Sequence, residues 1–206
     1  MTLNQRGTSV STQFNELQLD ALRELANIGS GTASTALSSM LGRSVDISVP
    51  CAAALPFAEA VEAIGPAERV VTGVVIGVKG EMSATVLLLL GENDAATLCG
   101  MLGVDPADEM AASALGEIGN IIGASYINAL GAMTGLEMDP EPPQSATDML
   151  GAIVASVLAG RAGADDIALV LDSDLKVEGE DCAISFLLVP SSGGVNELLT
   201  RLGLGD

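Results

Sequence analysis

Histidine is absent from this chain of 206 residues. Ser-His and Cys-His nucleophilic systems are therefore excluded, together with the commonest metal ligand. Chemistry performed here must run on carboxylates, amides, hydroxyls or backbone. Basic residues are also scarce, 8 against 27 acidic ones, for a net charge of −19. Such a potential opposes nucleic acid and anionic lipid alike. Only two lysines occur, Lys79 and Lys176, which is compatible with a salt-adapted source. Cys51, Cys99 and Cys182 are odd in number, far apart and without Cys-x-x-Cys spacing, so reduced thiols are expected rather than disulfides or a metal site. Long apolar runs are missing too. Residues 84–91, ATVLLLLG, fall far short of the roughly 20 needed to span a bilayer, and the stretch from Ala111 to Leu136 is broken by Glu117, Asn120 and Asn128. Neither a membrane span nor a signal peptide is expected, and a cytoplasmic home fits the reduced thiols.

What the chain does hold is apolar material, 49% of its residues, enough for a sizeable core. It is also duplicated. LDALRELANIGSGTASTALSSMLG (19–42) is echoed 93 residues later by AASALGEIGNIIGASYINALGAMTG (111–135), with Glu24 on Glu117, Asn27 on Asn120, Gly42 on Gly135, Asp46 on Asp139 and Pro50 on Pro143. Residues 80–103 resemble 179–203 at an offset of 99 or 100, so the second half has gained a few residues.

Each half opens with apolar residues at helical spacing: Leu19, Leu22, Leu25 and Ile28, then Leu115, Ile118, Ile121 and Ile122. An amphipathic helix is predicted in both, ending at Gly42 and Gly135. A short extended segment follows, ending at Pro50 or near Pro143. Paired strands are predicted at 70–78 with 82–90 and at 167–177 with 182–189, then short helices at 93–102 and 195–202. Residues 146–158 read as an extra helix of the second half, and Pro106 marks the joint. Two halves this short are not expected to close separate cores. The expected class is α+β, with one domain over 15–206 built from halves 15–105 and 106–206 about a pseudo-two-fold axis. Its mainly antiparallel sheet is packed by helices, with the two leading helices exposed on one face. Residues 1–14 read as a loose tail.

On each leading helix an acid or hydroxyl, a glutamate and an asparagine stand at i, i+4 and i+7: Asp20, Glu24 and Asn27, then Ser113, Glu117 and Asn120. At about 100° per residue each trio forms one narrow polar stripe. A lone Glu-x-x-Asn would be ordinary surface. Two copies at matching offsets differ, because Arg23 and Gly116, or Ala26 and Gly119, have diverged around the shared pair.

The doubled pattern Asp/Ser-x3-Glu-x2-Asn-x22-Pro resembles the signature of the CheC, CheX and FliY phosphatases over nearly the whole chain. Two sites with nothing appended after residue 206 match the CheC type. The resemblance implies a phosphatase acting on the phospho-aspartate of a CheY-like response regulator in chemotaxis. Asn27 and Asn120 would position the attacking water, and Glu24 and Glu117 would anchor a partner lysine. Asp20 and Ser113 would stabilise the helix or tune docking, and Pro50 and Pro143 would shape the neighbouring loop. No cofactor of its own is implied, magnesium being the regulator's. The free protein is expected to be a monomer. In this family Gln144 to Gly151 resembles the surface that docks the deamidase CheD, with Asp148 as charged rim and Met149 as apolar anchor near the start of the extra helix. The alternative is a non-catalytic module that captures phosphorylated CheY or CheD. A flagellar-switch component is a third reading, disfavoured by the absence of a following switch domain.

The remaining features have plainer readings. NIGSGTAS (27–34) lacks the glycine spacing and the Gly-Lys-Ser/Thr of a phosphate loop. Gly29 and Gly31, like Gly116, Gly119 and Gly123, are expected to let a helix approach the sheet. Met101, Met110, Met133, Met138 and Met149 are expected to fill core gaps.

Overall fold

A computed structural model describes residues 15–159, 167–177, 180–191 and 193–205. The predicted tail at 1–14 lies outside them. Helix α1 (Glu16–Leu41) is started by a capping box: Asn15 accepts from the Gln18 N–H at 3.0 Å, and the Gln18 side chain accepts from the Asn15 N–H at 2.8 Å. The buried Gln18 amide also donates to the carbonyl of Leu204 at 3.0 Å, tying the start of this helix to the far end of the chain. Both leading helices stop as predicted. Gly42 ends α1 and Gly135 ends α4 (Met110–Thr134), with φ of 64° and 71°, a left-handed conformation that glycine adopts without penalty.

The described strands form one antiparallel sheet: β1 (Val45–Pro56), β2 (Val70–Gly80), β3 (Ala84–Gly91), β4 (Met138–Pro140), β5 (Gln144–Met149), β6 (Ile167–Val177) and β7 (Glu180–Pro190). Their order is β1-β6-β7-β3-β2-β4, with β5 also on β2. Both predicted hairpins, β2 with β3 and β6 with β7, are present. They meet at the centre, where Leu87 of one faces Leu187 of the other. The outer strands are exchanged. β1 of the first half pairs with β6 of the second, while β4 and β5 of the second half pair with β2 of the first. The duplicated α+β architecture with its pseudo-two-fold arrangement is borne out.

Period-two alternation sends apolar side chains to both faces of the sheet. One face carries Val74, Ile76, Val86, Leu88, Leu171 and Phe186. It is covered by α1 and α4, with α3 (Glu92–Met101) and α6 (Gly194–Arg201) contributing Leu98 and Leu198. The other face carries Val71, Leu87, Val170 and Leu187 beneath α2 (Phe57–Ile64) and α5 (Leu150–Ala159). On the first face α1 and α4 run antiparallel. Leu22 shares a small cavity with Leu130, and further along α1 Gly29 meets the Tyr126 ring.

Several expectations need correction. The extended segment after α1 does not stop at Pro50 but continues as a strand to Pro56. Residues 146–149 are strand, and the helix begins only at Leu150. Nor is that helix extra. Its counterpart is α2, and the first residues of the two, Phe57 and Leu150, keep the 93-residue offset. Ile28 is exposed rather than packed, because successive i+3 steps rotate about 60° around the helix and carry it off the inward stripe. Met110 is exposed too, at the mouth of α4.

Among the glycines, Gly119 and Gly123 do let α4 descend on β2. A Cβ at either would meet Val74 at 2.7 Å or Ile76 at 2.5 Å. Gly29 serves helix against helix instead, since its Cβ would lie 2.4 Å from the Tyr126 ring, and Gly31 faces open space. Gly119→Ala should therefore cost about 1–3 kcal/mol by overpacking. Gly31→Ala should gain about 0.5–1 kcal/mol by removing backbone freedom from a mid-helix position. Urea unfolding of both variants beside the parent checks this, and equal midpoints would refute it.

Candidate functional site

Because α1 and α4 lie on the same sheet face and against each other, the stripe opposite each buried face points outward on one side of the molecule. On α1 that stripe holds Asp20, Glu24 and Asn27, all exposed. On α4 it holds Ser113 and Glu117, exposed, and Asn120, half-buried. Among the described residues, the side chains of Glu24, Asn27, Ser113, Glu117 and Asn120 enter no internal hydrogen bond or ion pair. Their donors and acceptors are left to solvent or to another molecule.

The two stripes differ in their flanks. Arg23 stands one turn before Asn27 and donates from Nη1 to Asp20 Oδ1 at 2.5 Å. The corresponding place on α4 is Gly116, a buried glycine whose Cβ would lie 3.7 Å from Ser145 Oγ of β5. Ser145 itself donates to the Ala112 carbonyl at 2.9 Å, seating the start of α4 on that edge strand. The C-terminal part of α1 is held by different means. Ser38 Oγ accepts from the Val45 N–H and Ser34 Oγ from the Ile47 N–H, both at 2.9 Å, which fixes β1 against the helix. The exposed Ile28, one turn after Glu24, adds an apolar surface beside Asn27. The sequence pattern marks neither Arg23, which differs between the repeats, nor Ile28, which falls on the i+3 spacing of the inward stripe.

The prolines of the pattern occupy equivalent breaks in the two edges of the sheet. Pro50 falls where the β1 register shifts between Ser48 and Cys51, and Pro143 lies in the gap between β4 and β5. A residue without an N–H is tolerated at such edge irregularities. Asp148 and Met149 are not on a helix. They are exposed at the end of β5, where Met149 pairs with Val70, also exposed, and Asp148 Oδ1 accepts the Met149 N–H at 2.7 Å.

Among the described residues no group of three or more Cys, Asp or Glu is placed to hold a metal ion, and no helix is long and apolar enough to cross a membrane.

With this geometry in view, comparison with known proteins bears out the resemblance read from the doubled pattern. The model of the CheC-like family matches residues 17–52 and 110–145, the two site-bearing segments. A curated relative, the CheY-P phosphatase CheC of Bacillus subtilis, is 28% identical over 95% of this chain and 98% of its own length. Among solved structures, FliY of Thermotoga maritima shares the fold with a TM-score of 0.75 at 20% identity, covering 95% of this chain and all of that one. A CheX from Borrelia burgdorferi, solved in complex with CheY, BeF3 and magnesium, gives a TM-score of 0.51 at 18% identity over 82% of this chain and 97% of that one.

The thiols stand apart from the outward stripes. Cys99 and Cys182 are free and buried, while the side chain of Cys51 lies outside what the structure describes. Burial raises the Cys99 pKa. For Cys182, burial first and then Asp94, Glu180 and Asp181 push it up to about 11. A thiol whose folded pKa exceeds its unfolded value of about 9 costs no stability below pH 9. Stability is then lost as pH climbs toward 11, because only the unfolded chain can ionise. In a Cys51→Ser chain at pH 8, Cys99 and Cys182 should react with a disulfide reagent only on unfolding. Rapid labelling of the native chain would refute this.

Proposed function

For a chain that carries the CheC-like segment twice, we propose hydrolysis of the phospho-aspartate of a CheY-like response regulator. The observation that carries this reading is the pair of outward Glu-Asn stripes whose side chains have no partners among the described residues. The relative named for dephosphorylating CheY-P supports it. An acyl phosphate is already activated, so the protein has only to hold a water in line with phosphorus and exclude poor orientations. Attack then forms the new P–O bond, releases the aspartate carboxylate and yields inorganic phosphate. Asn27 and Asn120 suit the water-positioning role. A carboxamide oxygen accepts a hydrogen bond from the water without presenting a charge that would repel the phosphoryl group. Glu24 and Glu117, one turn earlier on each stripe, would pair with a lysine of the regulator and set the register of the two proteins. Magnesium, on this reading, belongs to the regulator, and the encounter takes place in the cytoplasm.

CheD docking at the end of β5 belongs to the same proposal. Met149 and Val70 offer adjacent exposed apolar side chains beside the β5 margin of the sheet, rimmed by Asp148. Asp148→Lys should lower co-purification of a matching CheD at an unchanged thermal midpoint. Undiminished capture would place that contact elsewhere.

Asn27→Ala and Asn120→Ala together should abolish release of phosphate from a phosphorylated CheY-like regulator at catalytic amounts, while circular dichroism stays that of the parent. Either single change should leave a substantial share, since the stripes sit on separate helices. Full activity in the double variant would sink the mechanism. A parent chain that slows phosphate loss would instead favour a capture module. In the same assay Glu24→Ala with Glu117→Ala should raise the half-saturating regulator concentration more than it lowers the saturated rate.

A further inference from the structure

The two stripes are not equivalent, and the difference lies in one cation. Resting on the reading above, we infer that Arg23 is a positioning residue of the first site alone, held ready by Asp20 to meet the acidic, phosphoryl-bearing pocket of the docked regulator. Positions 20, 23, 24 and 27 fall within roughly 100° of the helix circumference, so the guanidinium shares the face of the water-positioning amide. Asp20 accepts its hydrogen bond at 2.5 Å, with both side chains more than half exposed. An exposed pair of this kind is worth only about 0–1 kcal/mol, so a partner's anionic group can take the guanidinium over at little cost.

The second stripe cannot do this. Gly116 stands in the place of Arg23, buried against Ser145 of β5, and Ser113 stands in the place of Asp20. The residues vary together: where there is a cation there is a carboxylate to hold it, and where there is none a hydroxyl suffices. The other basic side chains whose partners are described are engaged elsewhere: Arg69 on the Ile64 carbonyl, Lys79 on Glu141, and Arg201 on Glu197 and Glu81. On a chain of net charge −19, Arg23 is the cation that the two outward stripes carry, and it offers an anionic pocket a donor that the flanking Asp20 and Glu24 cannot. A guanidinium offers several donors in a fixed plane, which matches phosphoryl and carboxylate oxygens.

The test uses the full chain carrying Asn120→Ala, so that the first site does the work, and a CheY-like regulator kept phosphorylated with acetyl phosphate. Adding Arg23→Ala should raise the half-saturating regulator concentration roughly three- to tenfold, with the saturated rate held within about twofold. Arg23→Lys should restore most of the loss, and 0.5 M salt should shrink the difference. An unchanged half-saturation at low salt would reduce the pair to a solvated surface contact and overturn the inference. So would a fall confined to the saturated rate. A lowered thermal midpoint in Arg23→Ala, not shared by Arg23→Lys, would point to a merely structural role and overturn it too. If the Asn120→Ala chain itself releases no phosphate while the parent does, Asn27 is not a working site and the inference falls. If the parent releases none, the phosphatase reading fails first, and that outcome is told apart before Arg23 is changed.

Discussion

The exchange of outer strands between the halves is the constraint on which the rest of the structure depends. Val45 to Pro56 follows α1 in sequence but pairs with Ile167 to Val177, more than a hundred residues later. Gln144 to Met149 follows α4 but pairs with Val70 to Val75. Neither half can complete its sheet alone, and the apolar inner faces of α1 and α4 close over strands drawn from both. The relative placement of the two site helices is thus set by the main-chain ladder as well as by side-chain packing. That is how two stripes on separate helices come to face the same way.

Close approach then divides the labour around each helix. Gly29 lets Tyr126 lie against α1, and Gly119 and Gly123 let β2 rise into α4. With the inner surface consumed by packing, the outer surface is freed of structural duty, and Glu and Asn can persist there unpaired. The halves solve the seating differently. Ser34 and Ser38 hook α1 to β1, whereas a serine of the strand, Ser145, hooks α4 to β5. The second seat buries position 116, a glycine, where the first half keeps the charged Arg23.

Much of this was legible from the amino acids because duplication supplied an internal control. The leading helices, their glycine stops, both hairpins and the outward placement of Glu24, Asn27, Glu117 and Asn120 could be read from offset and periodicity. What escaped has physical reasons. Gln144 to Met149 is an edge strand exposed along most of its length, so it shows no apolar alternation to betray it. The alanine-rich stretch before Phe57 fits strand or helix almost equally. Ile28 satisfies an i+3 rule that fails after two steps, since the stripe precesses. A glycine says that something comes close without saying what, so Gly29 reads as facing the sheet although its neighbour is a tyrosine.

The paired edge prolines carry a consequence beyond the shaping of a loop. A sheet edge left unpaired among the described strands is a template for further strands, and an apolar chain can polymerise through such an edge. Here each margin is interrupted near its middle, by the register shift at Pro50 and by the gap that holds Pro142 and Pro143. An incoming strand finds no N–H at those positions and cannot continue its ladder across them. The residue that closes the sequence pattern in each half thus stands where an added strand's ladder would be broken.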